Sequence, residues 1–165
     1  MLRKLGPEDV EALLQLRLEA LTREPFSFGS SPGEGVMQVR DSVRAMLNDP
    51  RQAVFGVFDP DLVGSVGVRG LPQKKTRHKA EIWGMYLNKD RRRRGQAREL
   101  MEEAIGFART LPEVRYVHLT VTERAVAAGK LYEKLGFITW ATEPAALSVD
   151  GIDVSERHMM LKLRD

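Results

Sequence analysis

AEIWGMYLNKDRRRRGQARELMEEAIGFAR, residues Ala80 to Arg109, reads as a buried strand, a basic turn pivoting on Gly95, and a helix starting within a residue or two of that glycine. The run Ile82–Leu87 has the length and the aromatic and apolar content of a core strand. After the turn, Ala97, Leu100, Met101, Ala104, Ile105, Ala108 and Leu111 recur at steps of three and four, one stripe of a helix. A strand that feeds a helix through a glycine leaves unpaired backbone N–H groups at the helix start. Those donors and the positive end of the helix dipole suit a phosphate. Arg91, Arg92, Arg93, Arg94 and Arg98 crowd the same corner, so it is predicted to hold a pyrophosphate.

On the N-terminal side, Leu2–Leu5 reads as a short strand. Pro7 suits a helix start and is followed by acidic Glu8, Asp9 and Glu11 in the first turn. Val10, Leu13, Leu14, Leu16, Arg17 and Leu21 make this helix amphipathic, and it ends before Pro25. Phe26–Gly35 is a Gly/Ser/Pro loop with two phenylalanines, either a plain connector or a substrate-side lid. A second helix is predicted from Val36 to Leu47, stopped by Asn48-Asp49-Pro50. Strands at Ala53–Phe58 and Leu62–Leu71 flank an Asp59-Pro60-Asp61 turn, with Gly64 and Gly67 marking a bulge or a close approach. Pro72–Lys79 is a solvated basic loop.

Beyond the opening stretch, Tyr116–Val121 reads as a buried strand, with His118 as a satisfied core histidine. A helix from Ala125 to Leu135 is closed by Gly136. The last two strands are predicted at Phe137–Ala141 and Met159–Leu163, with an irregular Thr142–Glu156 between them whose Asp150-Gly151 is a hairpin turn signal. The connection from Ile82 through the helix to Tyr116 is a parallel crossover in a mixed α/β layer.

Composition narrows the function classes. A chain of 165 residues is expected to form one domain over residues 1–165. Its net charge of +3 is mild and sits largely in Arg91–Arg94, which favours a local anionic ligand over a general nucleic-acid surface. Without cysteine, disulfides, thiolate metal sites and a cysteine nucleophile are excluded. His78, His118 and His158 lack metal-ligand spacing, so no metal is expected. The N-terminus has no signal-peptide core and no run is long enough to span a membrane, which reads as a cytoplasmic protein with no membrane partner.

The corner matches neither G-x-x-x-x-G-K-[ST] nor G-x-G-x-x-G. What stands there is Arg92-Arg93-Arg94-Gly95-Gln96-Ala97, of the form R-x-x-G-x-A, with a strand before and a helix after. This unit resembles the coenzyme A motif of the GNAT superfamily, the GCN5-related N-acetyltransferases. Leu131-Tyr132-Glu133-Lys134-Leu135-Gly136-Phe137 is similar to that family's LYEKLGF ending, and Glu81 stands fourteen residues before Gly95, where several members carry a catalytic glutamate. The C-terminal EPAALSVDGIDVSERHMMLKL resembles uncharacterised bacterial members.

The resemblance covers nearly the whole chain. It implies a GNAT-type acyl-CoA N-acyltransferase fold, a central mixed but mostly antiparallel sheet of six or seven strands flanked by about four helices. It further implies transfer of an acetyl group from acetyl-CoA to a primary amine, by direct attack in a ternary complex. Backbone amides of Arg92, Arg93, Arg94, Gly95, Gln96, Ala97 and Arg98 would cradle the pyrophosphate, with arginine side chains adding charge-assisted contacts. Met85, Tyr86 and Leu87 would pair through main-chain groups with the pantetheine arm, in a gap where the core strand splays from Tyr116–Val121. The Met85 amide would donate to the thioester oxygen.

The attacking amine must be neutral, yet a free alkyl amine has a pKa of about 10. A general base is therefore required. Glu81 is the candidate, against a reading as a charged residue at an exposed strand end; Glu123 is the second choice. Tyr132 matches the family's general acid, against a reading as a core-facing aromatic. One departure is Ala125, where many members have an asparagine that contacts the coenzyme. The acceptor would be an amine-bearing small molecule, or the N-terminus or a lysine of a protein. Glu24, Glu34, Asp150 and Asp153 could attract a cationic amine, against a reading as solvated surface charges, which is preferred. A homodimer is compatible with the pattern but not required by it.

Two other readings compete with the enzyme. One is a catalytically idle acyl-CoA sensor. The other is a nucleic-acid-binding module, disfavoured because the aromatics do not interleave with the basic residues.

Overall fold

Period-2 alternation along the central strands puts apolar side chains on both faces of one sheet, and helices cover each face. The computed structural model describes residues 1–165, the side chain of Val36 excepted. In chain order the elements are β1 (Leu2–Lys4), α1 (Val10–Arg23), α2 (Arg40–Asn48), β2 (Gln52–Phe58), β3 (Leu62–Gly70), β4 (Lys79–Leu87), α3 (Gln96–Thr110), β5 (Tyr116–Thr122), α4 (Val126–Lys134), β6 (Ile138–Val149) and β7 (Ile152–Lys162). The seven strands form one sheet in the order β1-β2-β3-β4-β5-β7-β6. Neighbours are antiparallel except β4 and β5, which run parallel around the α3 crossover. This is the mixed, mostly antiparallel sheet with four helices that the sequence predicts.

Ala53, Phe55 and Val57 of β2, with Val66, Ala80, Ile82, Val117 and Leu119, pack against Leu100, Met101, Ala104 and Ala108 of α3. Val54, on the other face of β2, meets Leu13 of α1 and Val43 and Leu47 of α2. Tyr132 and Phe137 close the α3 side of the core.

Two irregularities in β4 matter most. Gly67 pairs with Trp83 and Ser65 with Tyr86, so β4 advances three residues while β3 advances two. Gly84, with φ 62° in the left-handed region, absorbs the extra residue. A one-residue bulge exchanges the faces of everything beyond it. Ala80 and Ile82 face α3 before the bulge; after it Met85 takes that face and Tyr86 turns toward α1. The parallel ladder to β5 is short as well: Lys79↔Tyr116, Ala80↔Val117, Glu81↔His118, and then the two strands part.

Two expectations need correction. The second helix does not run unbroken from Val36: a single tight turn, Val36–Gln38, is followed by extended Val39 (φ −103°, ψ 112°), and α2 begins only at Arg40. Thr142–Glu156 is not irregular either. It forms most of a long β6–β7 hairpin, turned at Asp150 (φ 52°) and Gly151 (φ 76°). Positive φ at both central residues is the turn that matches strand twist. β6 is an edge strand with most of its side chains in solvent, so no alternation marks it, and Pro144 sits where its register with β7 slips.

Gly67 is needed for a close approach: a Cβ there would lie 2.2 Å from the Trp83 ring. Gly67→Ala is therefore expected to destabilise the fold by about 1–3 kcal/mol, read as a lower urea midpoint at unchanged m. An unchanged midpoint would refute this packing.

Candidate active site

Where β4 ends, the chain makes one tight turn at Lys89–Arg91 and enters α3 through Gly95, whose φ is 81°. An added Cβ at Gly95 would meet nothing within 4 Å, so backbone conformation, not space, calls for glycine. Arg93 is also left-handed, with φ 68°. Successive N–H groups in such a turn converge into an anion-binding concavity. The Arg92 amide bonds Lys89 O (3.3 Å) and the Arg98 amide bonds Gly95 O (2.9 Å). Between them the amides of Arg93, Arg94, Gly95, Gln96 and Ala97 have no partner among the described residues. The free donor row is thus narrower than the Arg92–Arg98 span, and it lies at the helix start.

The arginine side chains divide. Arg91 binds Asp59 (2.7 Å), Arg92 binds Glu24 (2.8 Å) and Leu87 O (2.9 Å), and Arg98 binds Glu102 (2.8 Å). Arg93 and Arg94 are exposed and make no ion pair among the described residues. Arg91 and Arg92 therefore brace the turn, Arg98 pairs along α3, and Arg93 and Arg94 are left to face a ligand. Glu24 is one of the braces and Glu34 accepts from Ser31 N, which leaves neither as a cation trap.

The edge of Ile82–Leu87 that faces β5 has no strand partner once the two part at Glu81. The Tyr86 side chain points away from this edge: its hydroxyl donates to Glu19 (2.8 Å), and burial together with that bond pushes its pKa up to about 12. Any contact from Tyr86 to a ligand in the gap is therefore through its main chain.

On the α1 face of the sheet, where β4 and β5 diverge, lies a cavity of about 520 Å³, a size that suits a metabolite. Glu81 and His118 line it from adjacent strands, directly in register. Arg69 grips Glu81 through Oε2 alone (2.6 and 3.0 Å), leaving Oε1 without a hydrogen bond among the described residues. His118 is not the core histidine expected. Val117, Leu119 and Val121 face α3, so alternation turns His118 the other way, into the cavity wall. Burial and, secondly, the charge of Lys79 depress its pKa below the usual histidine value.

The Phe26–Gly35 loop contributes Ser27, Phe28 and Gly29 to the cavity, so it is a wall as well as a connector. Phe28 stacks on the Arg17 guanidinium (4.8 Å) and Phe26 on that of Arg124 (4.0 Å). Trp140 and His158, from β6 and β7, complete the far side.

Tyr132 does not line this cavity. It is buried on the α3 side, tilted against Phe137 (6.2 Å), and burial pushes its hydroxyl up to about 12. Glu123 is committed elsewhere, accepting from Ser155 N (3.1 Å). Ala125 precedes α4 without a side-chain cap and packs on the core instead. Asp150 and Asp153 belong to the solvent-exposed end of the β6–β7 hairpin.

The acetyltransferase (GNAT) family model matches residues 16–137, most of the chain. A search of curated proteins gives no match. Among solved structures, the acetyltransferase of GNAT family from Streptococcus pneumoniae is 22% identical, with TM-score 0.85 and 99% of both chains covered. The protein yncA from Salmonella typhimurium, solved with acetyl-CoA, is 16% identical, with TM-score 0.85 over 100% of this chain and 94% of the other. A ribosomal-protein-alanine N-acetyltransferase from Brucella melitensis is 20% identical, with TM-score 0.84 and 99% of both chains covered. At these identities the likeness is one of fold.

The cavity geometry gives a measurable proton affinity. The His118 ring is expected to titrate below the ordinary histidine value of about 6.5 in an NMR pH series, and Lys79→Gln should move it upward. A normal or raised value would contradict its half-buried position beside Lys79.

Proposed function

Because the chain belongs to the GNAT family of acetyltransferases, we propose that it moves an acetyl group from acetyl-CoA to a primary amine by direct attack. The observation that carries this reading is the row of five free amides from Arg93 to Ala97, standing at the end of a strand whose inner edge has lost its partner. Such a row suits a pyrophosphate, and an unpaired strand edge suits an amide-bearing arm.

On this reading the amides of Arg93–Ala97 hold the pyrophosphate, with Arg93 and Arg94 adding charge. The side chains of Arg91 and Arg92 act indirectly, by fixing the turn. The main chain of Met85–Leu87 aligns the pantetheine arm, and the Met85 amide donates to the thioester oxygen as negative charge develops there. The thioester supplies the activated acetyl carbon. Glu81, through its free Oε1, takes a proton from the incoming ammonium directly or through water, and His118, held neutral beside it, extends the path.

Tyr132 stays protonated across the working pH range because its pKa is near 12. As a protonated donor it serves as the acid for the departing thiolate. The named structural relatives do not fix the acceptor, but a cavity of about 520 Å³ favours a small molecule over a protein chain.

Calorimetry on folded protein should show saturable acetyl-CoA binding, from low micromolar to submillimolar. Absence of heat with both acetyl-CoA and coenzyme A would end the proposal. Gly95→Glu puts a side chain at φ 81° and a negative charge among the free amides, and should abolish that heat. Tyr132→Phe should retain binding and lower turnover about 100- to 10,000-fold, the scale of a single general acid. Unchanged turnover across pH would remove Tyr132 from the chemistry.

A further inference from the structure

Burying a cation is unfavourable unless an anion or hydrogen-bond acceptors receive it. Most arginines here obey this rule: Arg3, Arg40, Arg51, Arg69, Arg91 and Arg92 each reach a carboxylate. Arg17 breaks it. It sits on the inward side of α1 among Leu13, Leu16, Ala20 and Leu21. Its Nε and Nη1 are sealed from solvent without any hydrogen-bond partner. Burial lowers its pKa from the usual arginine value, with no compensating charge, yet a guanidinium remains protonated. An aliphatic side chain would serve packing better at this position.

Arg17 lines the same cavity as Glu81 and His118. The Phe28 ring lies against it, 4.8 Å from the guanidinium carbon. Nη1 lies 3.7 Å from where a Cβ on Gly84 would stand, so the guanidinium rests over the bulge. Gly84 is three residues from Glu81 on the same strand, roughly 10 Å at strand spacing. A guanidinium is a planar fork with pre-set donors, matched to a carboxylate or a similar oxyanion. One end of the cavity thus offers unsatisfied donors, and the other a carboxylate oxygen with room for a proton.

We propose that the acceptor amine also carries an oxyanion, and that Arg17 receives this group while the amine turns toward Glu81 and His118. The substrate class is amino acids and equally compact analogues. Arg17 acts by binding and orienting the acceptor and does not enter the proton path. The inference rests on the acetyl-transfer reading of the same cavity, and the experiment separates the two.

The test follows coenzyme A release with the twenty common amino acids, each paired with its carboxamide, which differs only in lacking the anion. Wild type should acetylate the preferred acid at least 30-fold better in kcat/KM than its amide. R17Q should erase that ratio, chiefly through a raised KM for the acid. Amides accepted as well as acids, or an R17Q variant that still discriminates, would overturn the proposal while leaving acetyl transfer intact.

A readout without turnover accompanies it. Calorimetry would titrate N-acetyl amino acids and their amides into protein saturated with coenzyme A. Heat from the acids alone, lost in R17Q, supports the anion site even if no free amine is acetylated. No heat from any acid, with coenzyme A bound, overturns the site but not the coenzyme reading. Thermal melting is the third arm: R17M should melt within a few degrees of wild type, the removed desolvation cost offsetting the lost Phe28 stack. A drop of several degrees would make Arg17 a structural residue and overturn the assignment.

Discussion

The parallel ladder between β4 and β5 has three rungs and then stops. Most of what the molecule presents to ligands depends on that break. A full ladder would satisfy the β5-facing amides and carbonyls of Ile82–Leu87 and fill the space now occupied by the cavity. The bulge at Gly84 works with the break, by turning Tyr86 out toward Glu19 of α1 and Met85 in toward the α3 core. Strand parity and strand separation are thus set within a few residues of one another, and α3 starts from the same end of the strand.

Charge at the Arg91–Arg94 turn does two jobs. Arg91 and Arg92 tie the turn to Asp59 and Glu24, far away in sequence, and so hold the backbone in a shape that exposes five amides. Such exposed pairs each add little to stability. Their value lies in geometry, since a concavity of N–H groups binds an anion only if the turn keeps its form. Arg93 and Arg94 then supply the uncompensated charge.

Much of this was legible in the chain. The α3 stripe, Gly95 and the strand before it are local features, each set by near-neighbour sterics and periodicity. Gly136, φ 96°, closes α4 where the pattern asked for a cap. What escaped was mostly a matter of which face. The alternation Val117, Leu119, Val121 already opposed His118 to the core, but a short apolar run reads as buried on both sides. Arg17 lies on the stripe Val10–Leu13–Leu14–Leu21, so a buried cation was visible as an interruption; that it lacks an anion is a tertiary fact. The β6–β7 hairpin was hidden for the opposite reason. With few of its side chains buried, the outer strand has no hydrophobic period to read, and only Asp150-Gly151 betrays it.

The loop from Phe26 to Gly35 is fastened by unusual means. Its backbone hydrogen bonds are local, Ser27 N to Glu24 O and Glu34 N to Ser31 O; Phe28 on Arg17 and Phe26 on Arg124 join it to the body, and Phe28 also packs against Leu16, Ala20 and Tyr86. Each such stack is worth about 0.5–2 kcal/mol. The apolar contact adds to them, so the loop is a fixed wall of the cavity held by side chains more than by backbone. An anion arriving at Arg17 would draw on the same guanidinium that Phe28 covers, so ligand and wall share one side chain.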